Sequence, residues 1–438
     1  MKHIFLFEYI ILCWILVLVQ DISNAQTTKE EIFTSLEKSG GVNFVYPYHT
    51  NKYTKAPKGY LPFYISHFGR HGSRYLTNEN DYLSVLNLFK SAEYSNNLTS
   101  LGKEALKRIE MICDSVKGKA GQLTPLGVSQ INNIAQRMYK NYPNAFSDGA
   151  KITAVSTTVE RCIKSMNIFS SQLQQINKNL IINPDAHESH MQYLNYHTKK
   201  AVDFRSSQGS WRKEYNQFVQ VHVKPERLLK SLFINSNLLS DSLNTTEFMF
   251  DLFSIAGNLQ NTELNITLFD LFEKEELFNL WQCKNYSLYV QYANAAVNKG
   301  IMMDNAIPLL KDIINKADSA IKTNIHGSSI RFGHDGNIIP LAMLLHIENA
   351  YASATNPLDY HINWRDFEVA PMAANLQIIF FRSKKSTEIL VKFVYNEKEV
   401  HIPEVYSNIW PFYRWKDVRS YYSSLINNTV SANGLGAN

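Results

Sequence analysis

The sequence predicts an α/β fold, a sheet flanked by helices and interrupted by an inserted, mostly helical domain. Three observations predict it. Three short β-type runs each end in a polar cluster and lead into a helix-type pattern; two more β-type runs follow near the C-terminus; and residues 176–318 switch to helical spacing.

The first run, Pro62-Phe63-Tyr64-Ile65, leads into Arg70 to Arg74. The second, Ile152 to Ser156, leads into a helical pattern from Thr157 to Leu173, and the third, Ser329 to Gly333, into His334-Asp335-Gly336-Asn337 and the apolar run Ile338 to Leu345. Sheets of this kind bind ligands at the C-terminal ends of their strands. Leu376 to Phe381 and Ile389 to Tyr395, separated by the charged turn Arg382 to Glu388, are expected to pair at one side of the same sheet. Between about residues 176 and 318, Trp211 to Leu232, Thr246 to Leu259 and Leu268 to Leu280 place apolar residues at helical spacing, joined by Asn/Ser-rich turns such as Asn235 to Thr245. The expected organisation is therefore 26–175 and 319–438 for the α/β part, with 176–318 inserted. Ser431 to Asn438 reads as a disordered tail.

At 438 residues the chain exceeds one ordinary core, and 45% hydrophobic with 19% charged residues is globular composition. Residues 1–25 read as a secretory signal peptide: a basic start, an apolar run from Ile4 to Val19, then Ser23-Asn24-Ala25. Glu8 interrupts that run, and its length leaves an uncleaved anchor as the alternative. The expected location is periplasmic or extracellular. The formal charge of +5 fits an anionic substrate only weakly. Without the leader, Cys113, Cys162 and Cys283 allow at most one intramolecular disulfide, and no pair has zinc-site spacing. Asn97, Asn244, Asn265, Asn285 and Asn427 each begin an N-x-S/T triplet, which matters only in a glycosylating host.

The stretch SHFGRHGSRYL (66–76) places Arg70, His71 and Arg74 within five residues at a strand end, where the following backbone can open a helix. Guanidinium forks and helix N–H groups both match phosphate oxygens. An imidazole among such cations stays neutral and available as a nucleophile. Gly72 leaves room for a phosphate to approach. Arg161, one turn into the helix after the second strand, can reach the same crevice; alone it would pair with a neighbouring acid. At the third strand end, His334 can donate to a phosphate oxygen and Asp335 can protonate a leaving alkoxide, or cap the helix.

Arg70-His71-Gly72-Ser73-Arg74 resembles the R-H-G-x-R signature of the histidine acid phosphatases, in the histidine phosphatase superfamily. Gly333 to Asn337 resembles that family's H-D motif, Glu160-Arg161-Cys162 the place of its third phosphate-binding arginine, and Leu123 to Gln130 its L-T-x-x-G-x-x-Q segment. The resemblance covers about residues 60–340 and implies an exported phosphomonoesterase with a histidine-phosphatase-like sheet. His71 would become phosphohistidine, with Arg70, Arg74, Arg161 and His334 holding the phosphoryl oxygens and Asp335 as proton donor and then acceptor. No metal or organic cofactor is implied. Leu76 stands where the fuller signature has proline. His334-Asp335, rather than H-A-E, leans toward a phytase-like or general acid phosphatase, whereas Tyr46 to Tyr64 resembles bacterial inositol polyphosphate phosphatases. The expected partner is a small phosphorylated molecule, with an inositol polyphosphate ahead of a sugar phosphate and neither nucleic acid nor membrane after leader removal. A non-catalytic phosphate-binding module and a mutase of the same superfamily are the other readings; the leader and the H-D pair speak against the mutase.

Two clusters stay outside this reading. His187-Glu188-Ser189-His190 lacks the spacing of a zinc helix. Lys199, Lys200, Arg205, Arg212 and Lys213 form either a cleft wall for a multiply phosphorylated substrate or a solvated basic face.

Overall fold

The computed structural model describes residues 27–47, 52–235 and 244–432. The expected leader, residues 236–243 of the Asn/Ser-rich turn and residues 433–438 of the expected tail lie outside the described residues. Ser431 and Ala432 of that tail close the helix Trp415–Ala432.

Among the described residues, eight strands form one mixed sheet: β1 (Tyr60–Arg70), β2 (Lys151–Ser156), β3 (Ile181–Asp185), β4 (Gly327–Gly333), β5 (Asn375–Ser383), β6 (Ser386–Tyr395), β7 (Lys398–Glu399) and β8 (Phe412–Arg414). Their order is β3-β2-β4-β1-β5-β6-β7, with β8 also on β6. The first four are mutually parallel, and β5 and β6 continue the sheet antiparallel beside β1, as the charged turn between them anticipates.

The register is what positions the site. Gly69 faces Phe332 of β4, Arg70 faces Gly333, and Ser156 of β2 faces Phe332 from the other side. Three strands therefore end at one level, and the polar residues that follow each of them are delivered to one edge.

From Tyr64 onward β1 alternates between two cores, because successive side chains leave opposite faces. Ile65 packs with Ile131, Ile134, Phe169 and Phe332 beneath α3 (Pro125–Asn141) and α4 (Glu160–Ile176). Tyr64 and Phe68 join the core of the opposite face, which continues into the helical side of the molecule. His67 is buried between Phe169 and Phe332, so it belongs to packing.

The helical side differs from the expected insertion in two ways. Ile181–Asp185, inside the stretch read as helical, is β3 of the sheet. Conversely α1 (Asn80–Tyr94) and α2 (Ser100–Val116), which precede that stretch, share the core of α5 (Arg212–His222), α6 (Thr245–Leu259) and α7 (Lys274–Tyr292). The expected Trp211–Leu232 helix breaks before Pro225 into α5 and Glu226–Leu232. Three more helices, α8 (Ile307–Lys322), α9 (Asp335–Leu344) and α10 (Trp415–Ala432), flank the sheet. Among the described residues no helix is long and apolar enough to cross a membrane. Cys113, Cys162 and Cys283 are free and buried. Asn97 and Asn285 are buried and hydrogen-bonded to backbone, which makes those two triplets structural.

The L-T-x-x-G-x-x-Q segment is a clamp on the loop after β1. Thr124 caps α3 and its peptide N–H donates to the Ser73 carbonyl at 3.0 Å, while Gln130 Oε1 accepts from Ser73 N–H at 2.9 Å. Backbones meet at two glycines: a Cβ on Gly72 would lie 2.5 Å from the Gly127 carbonyl oxygen, and one on Gly127 would lie 2.2 Å from that of Ser73. Gly72 is thus required by its fit against α3. Overpacking of this kind costs about 1–3 kcal/mol. Gly127→Ala is expected to lose at least that in denaturant unfolding and to lower the melting temperature.

Candidate active site

No helix opens directly behind Arg74; the next is α1, at Asn80. The helix N-termini at the site belong instead to α9, which starts at Asp335, and α4, which starts at Glu160. His334 occupies the cap position of α9, its peptide N–H donating to Asn337 Oδ1 at 3.0 Å, so the cap expected of Asp335 falls one residue earlier.

The structure brings all six expected residues together. Arg70 is fully buried at the end of β1. Its Nη1 donates to the Val42 carbonyl and to the Ala370 carbonyl, the latter at 2.7 Å, and its Nη2 pairs with Asp335 Oδ2 at 2.9 Å. Arg74 is tied through Nη1 to the Tyr75 carbonyl at 2.9 Å. Arg161 Nη2 lies 3.3 Å from His334 Nδ1, and Glu160, the acid beside Arg161, pairs with Lys164 instead. The imidazoles of His71 and His334 lie 5.7 Å apart, centroid to centroid. Among the described residues, the buried Nε atoms of Arg70, Arg74 and Arg161 have no hydrogen-bond partner. Buried donors are almost always paired. Three from one cluster of guanidinium groups describe an anion site.

His71 is buried, and its Nδ1 lies 2.9 Å from the Gly72 carbonyl oxygen. A carbonyl only accepts, so Nδ1 carries the proton and Nε2 the free lone pair. Burial, then Arg70, Arg74, Arg161 and His334, hold this ring well below the ordinary histidine range. Burial and Arg161 likewise take His334 down to about 4. Arginine only donates, so His334 Nδ1 accepts from Arg161 and Nε2–H is directed at Thr157 Oγ1, 3.2 Å away. Burial alone would raise the Asp335 carboxyl, but Arg70, Arg74 and the Gly336 N–H outweigh it and hold it below the usual carboxylate value. Arg74 is lowered to about 10 by burial and by Arg70, and still carries its charge at neutral pH.

Several participants carry no motif. Val42 and Ala370 contribute only carbonyl oxygens to Arg70, and Asn261 bridges Ser73 Oγ and the Asn43 carbonyl, at 2.6 and 2.7 Å. Such backbone and amide contacts leave no pattern in a sequence; only Thr157, first after the second strand, could have been picked out by position.

Of the basic residues at 199–213, Lys199 pairs with Asp203 and Arg212 stacks on Trp211. Arg205 stacks on Tyr292 at 5.0 Å, and the Tyr292 ring edge stands 2.9 Å from where a Gly336 Cβ would be, beside Asp335. His190 donates through Nε2 to Asp185 Oδ2 at 2.8 Å and accepts at Nδ1 from the Tyr193 hydroxyl at 2.9 Å, in a chain away from these groups.

The family model for the histidine phosphatase superfamily (branch 2) matches residues 68–396. No curated protein matches the chain. Among solved structures, a Bifidobacterium longum multiple inositol polyphosphate phosphatase in complex with inositol hexasulfate superposes with a TM-score of 0.76 at 19% identity, covering 88% of this chain and 97% of that one. The phytase from D. castellii gives 0.63 at 16%, covering 89% and 85%, and the Hafnia alvei phytase 0.51 at 12%, covering 85% and 98%. At such identities these likenesses establish the shared fold. The family match, spanning three quarters of the sequence and every cluster described above, supplies the rest: the chain belongs to the histidine phosphatase superfamily, branch 2, and is a phosphoric monoester hydrolase.

Proposed function

We propose that the protein is an exported phosphatase that hydrolyses inositol polyphosphates through a phosphohistidine at His71. The observation that carries the reading is the neutral His71 imidazole, with its Nε2 lone pair free, set among three guanidinium groups, Arg70 buried and Arg74 and Arg161 half-buried, whose buried Nε atoms lack partners among the described residues.

Arg70, Arg74, Arg161 and His334 bind the phosphoryl oxygens, the arginines replacing water by fixed donors that match the charge of the transition state. Phosphate binding calls on the other His334 tautomer, with the proton on Nδ1. His71 Nε2 attacks phosphorus, a bond forms between them, and the ester P–O bond breaks. Asp335 gives its proton to the departing alkoxide. Water then attacks the phosphohistidine, Asp335 takes the water's proton, and inorganic phosphate leaves with the lone pair restored to His71. Asp335 is ionised beside Arg70 in the structure. A dianionic phosphoryl group competing for the same arginines raises its affinity for a proton, which is what an acid role requires.

A polyphosphorylated substrate is favoured by Arg205, the one basic residue of its group stacked on a ring that reaches the Asp335 loop. The structural similarity to an inositol polyphosphate phosphatase points the same way. The composition of residues 1–25 supports export to the periplasm or beyond.

His71→Ala is expected to abolish turnover of phytate, glucose 1-phosphate and 4-nitrophenyl phosphate. Retained turnover would remove His71 from the mechanism. Asp335→Asn is expected to lose about 10²–10⁴ in kcat on the alkyl esters. The loss should be smaller for 4-nitrophenyl phosphate, whose leaving group departs without a proton. Equal losses would exclude a proton-donor role. A phytate kcat/KM above those of the monoesters would support the polyphosphate reading; the reverse order would make the protein a general acid phosphatase.

The depressed histidines also set a pH dependence. The unfolded chain protonates its imidazoles near 6.5, whereas His71 and His334 stay neutral when folded until far lower pH. Their contribution is present above that value and is lost as pH falls, at about 1.4 kcal/mol per pH unit per ring. Asp366 and Asp304, both raised to about 6 mainly by burial, act in the opposite sense between about 6 and 4. NMR of the His71 ring from pH 8 to 5 should show no titration, and a midpoint near 6.5 would contradict the site's electrostatics.

A further inference from the structure

We infer that Asp366 is a positioning residue for phosphate binding, clamping both of the carbonyl groups on which the Arg70 guanidinium rests. The inference depends on the phosphatase reading above, in which Arg70 holds a phosphoryl oxygen.

The two acceptors of Arg70 Nη1 come from distant parts of the chain, Val42 near the N-terminus and Ala370 just before β5. Asp366 holds both. Its Oδ2 accepts from the Val42 peptide N–H at 3.2 Å, and its backbone carbonyl accepts from the Ala370 N–H at 2.8 Å. Asp366 is itself fixed from the helical side: Oδ1 accepts from Trp281 Nε1 at 2.9 Å, and its peptide N–H donates to Asn285 Oδ1 at 3.0 Å, both partners lying on α7. It is 2% exposed. Gly41, at φ +59°, brings the N-terminal segment so close that a Cβ there would lie 2.3 Å from Oδ2. Only glycine passes at that distance and dihedral.

The consequence follows from the rigidity of a guanidinium group. With Nη1 fixed on two carbonyls and Nη2 on Asp335, the direction of the unpartnered Nε is fixed too. Releasing Val42 lets the fork rotate. Displacements of about 1 Å at a reacting group cost up to about a hundredfold in rate. The hydrogen-bond donors to the Asp366 side chain are neutral N–H groups, and its charge favours the ionised forms of both Arg70 and Lys284. Burial pushes this carboxyl up to about 6, against the donors of Trp281, Phe367 and Val42. The trial therefore belongs at pH 7, where Asp366 is ionised.

The experiment measures the inhibition constant of inorganic phosphate, with kcat and KM for 4-nitrophenyl phosphate, in wild type, Asp366→Asn and Trp281→Phe, each with its melting temperature. Asp366→Asn sets an amide N–H against a backbone or indole donor. It is expected to raise the phosphate inhibition constant and lower kcat, each on the order of tenfold. Trp281→Phe removes the donor on the other oxygen but leaves the Val42 bond in place, and is expected to lower the melting temperature and to move both constants in the same direction by clearly less than Asp366→Asn does. Should Asp366→Asn not accumulate as folded protein, Asp366→Glu, which keeps the charge and shifts the carboxylate by one methylene, is read in the same way. A folded Asp366 variant with both constants unchanged, or a Trp281→Phe loss equal to that of Asp366→Asn, would overturn the inference and leave Asp366 a purely structural residue. A wild type that neither hydrolyses the ester nor binds phosphate would instead overturn the phosphatase reading.

Discussion

Holding three guanidinium groups, one buried and two half-buried, around one buried neutral imidazole is the constraint on which the rest of the structure depends. Like charges at this range repel, and burial of each cation costs several kcal/mol unless it is hydrogen-bonded. The protein offsets that cost with the carboxylate of Asp335 in direct contact, that of Asp366 nearby, and backbone carbonyls from Val42, Ala370 and Tyr75. Carbonyl dipoles stabilise the guanidinium groups without neutralising them, so the site keeps its net positive character for an anion. Burial and the same cations deny His71 a proton. Binding and nucleophilicity thus come from one arrangement.

That arrangement is rigid because each part is set by backbone. The register of β1, β4 and β2 brings three loops to one level. The segment Leu123 to Gln130 then fixes the first loop through Ser73, leaving no room for a Cβ at Gly72 or Gly127. The N-terminal segment 36–43, which has no strand and only short helical turns, reaches the site through Val42 and Asn43. The helical side reaches it through Asn261 and, by way of Tyr292, through Gly336.

The six charged or imidazole side chains are legible in the sequence because each lies at a strand end, in the loop after it or in the first turn of the helix that follows, and its chemistry is carried by its own side chain. The sheet core and the antiparallel pair at 375–395 were legible for a similar reason: buried strands read as apolar runs. β3 was not, since Ile181–Asp185 is a mostly exposed edge strand with no apolar pattern. The helical side extends further than expected because the packing of α1 against α6, and of α2 against Glu226–Leu232, is long-range contact that local periodicity does not report. Gly72 was visible, but its reason was not: the constraint is Gly127, 55 positions along the chain. Val42, Ala370 and Asp366 stayed hidden because carbonyls are common to every residue and a lone buried aspartate has no sequence signature.

The central claim is that His71 forms a covalent bond to phosphorus, and rapid quenching during turnover of a ³²P-labelled phosphomonoester tests it most directly. The account predicts label on the peptide containing His71, stable in base and labile in acid, and absent when His71 is replaced by alanine. Undiminished turnover with no label on that peptide, or acid-stable label on a serine, would contradict it.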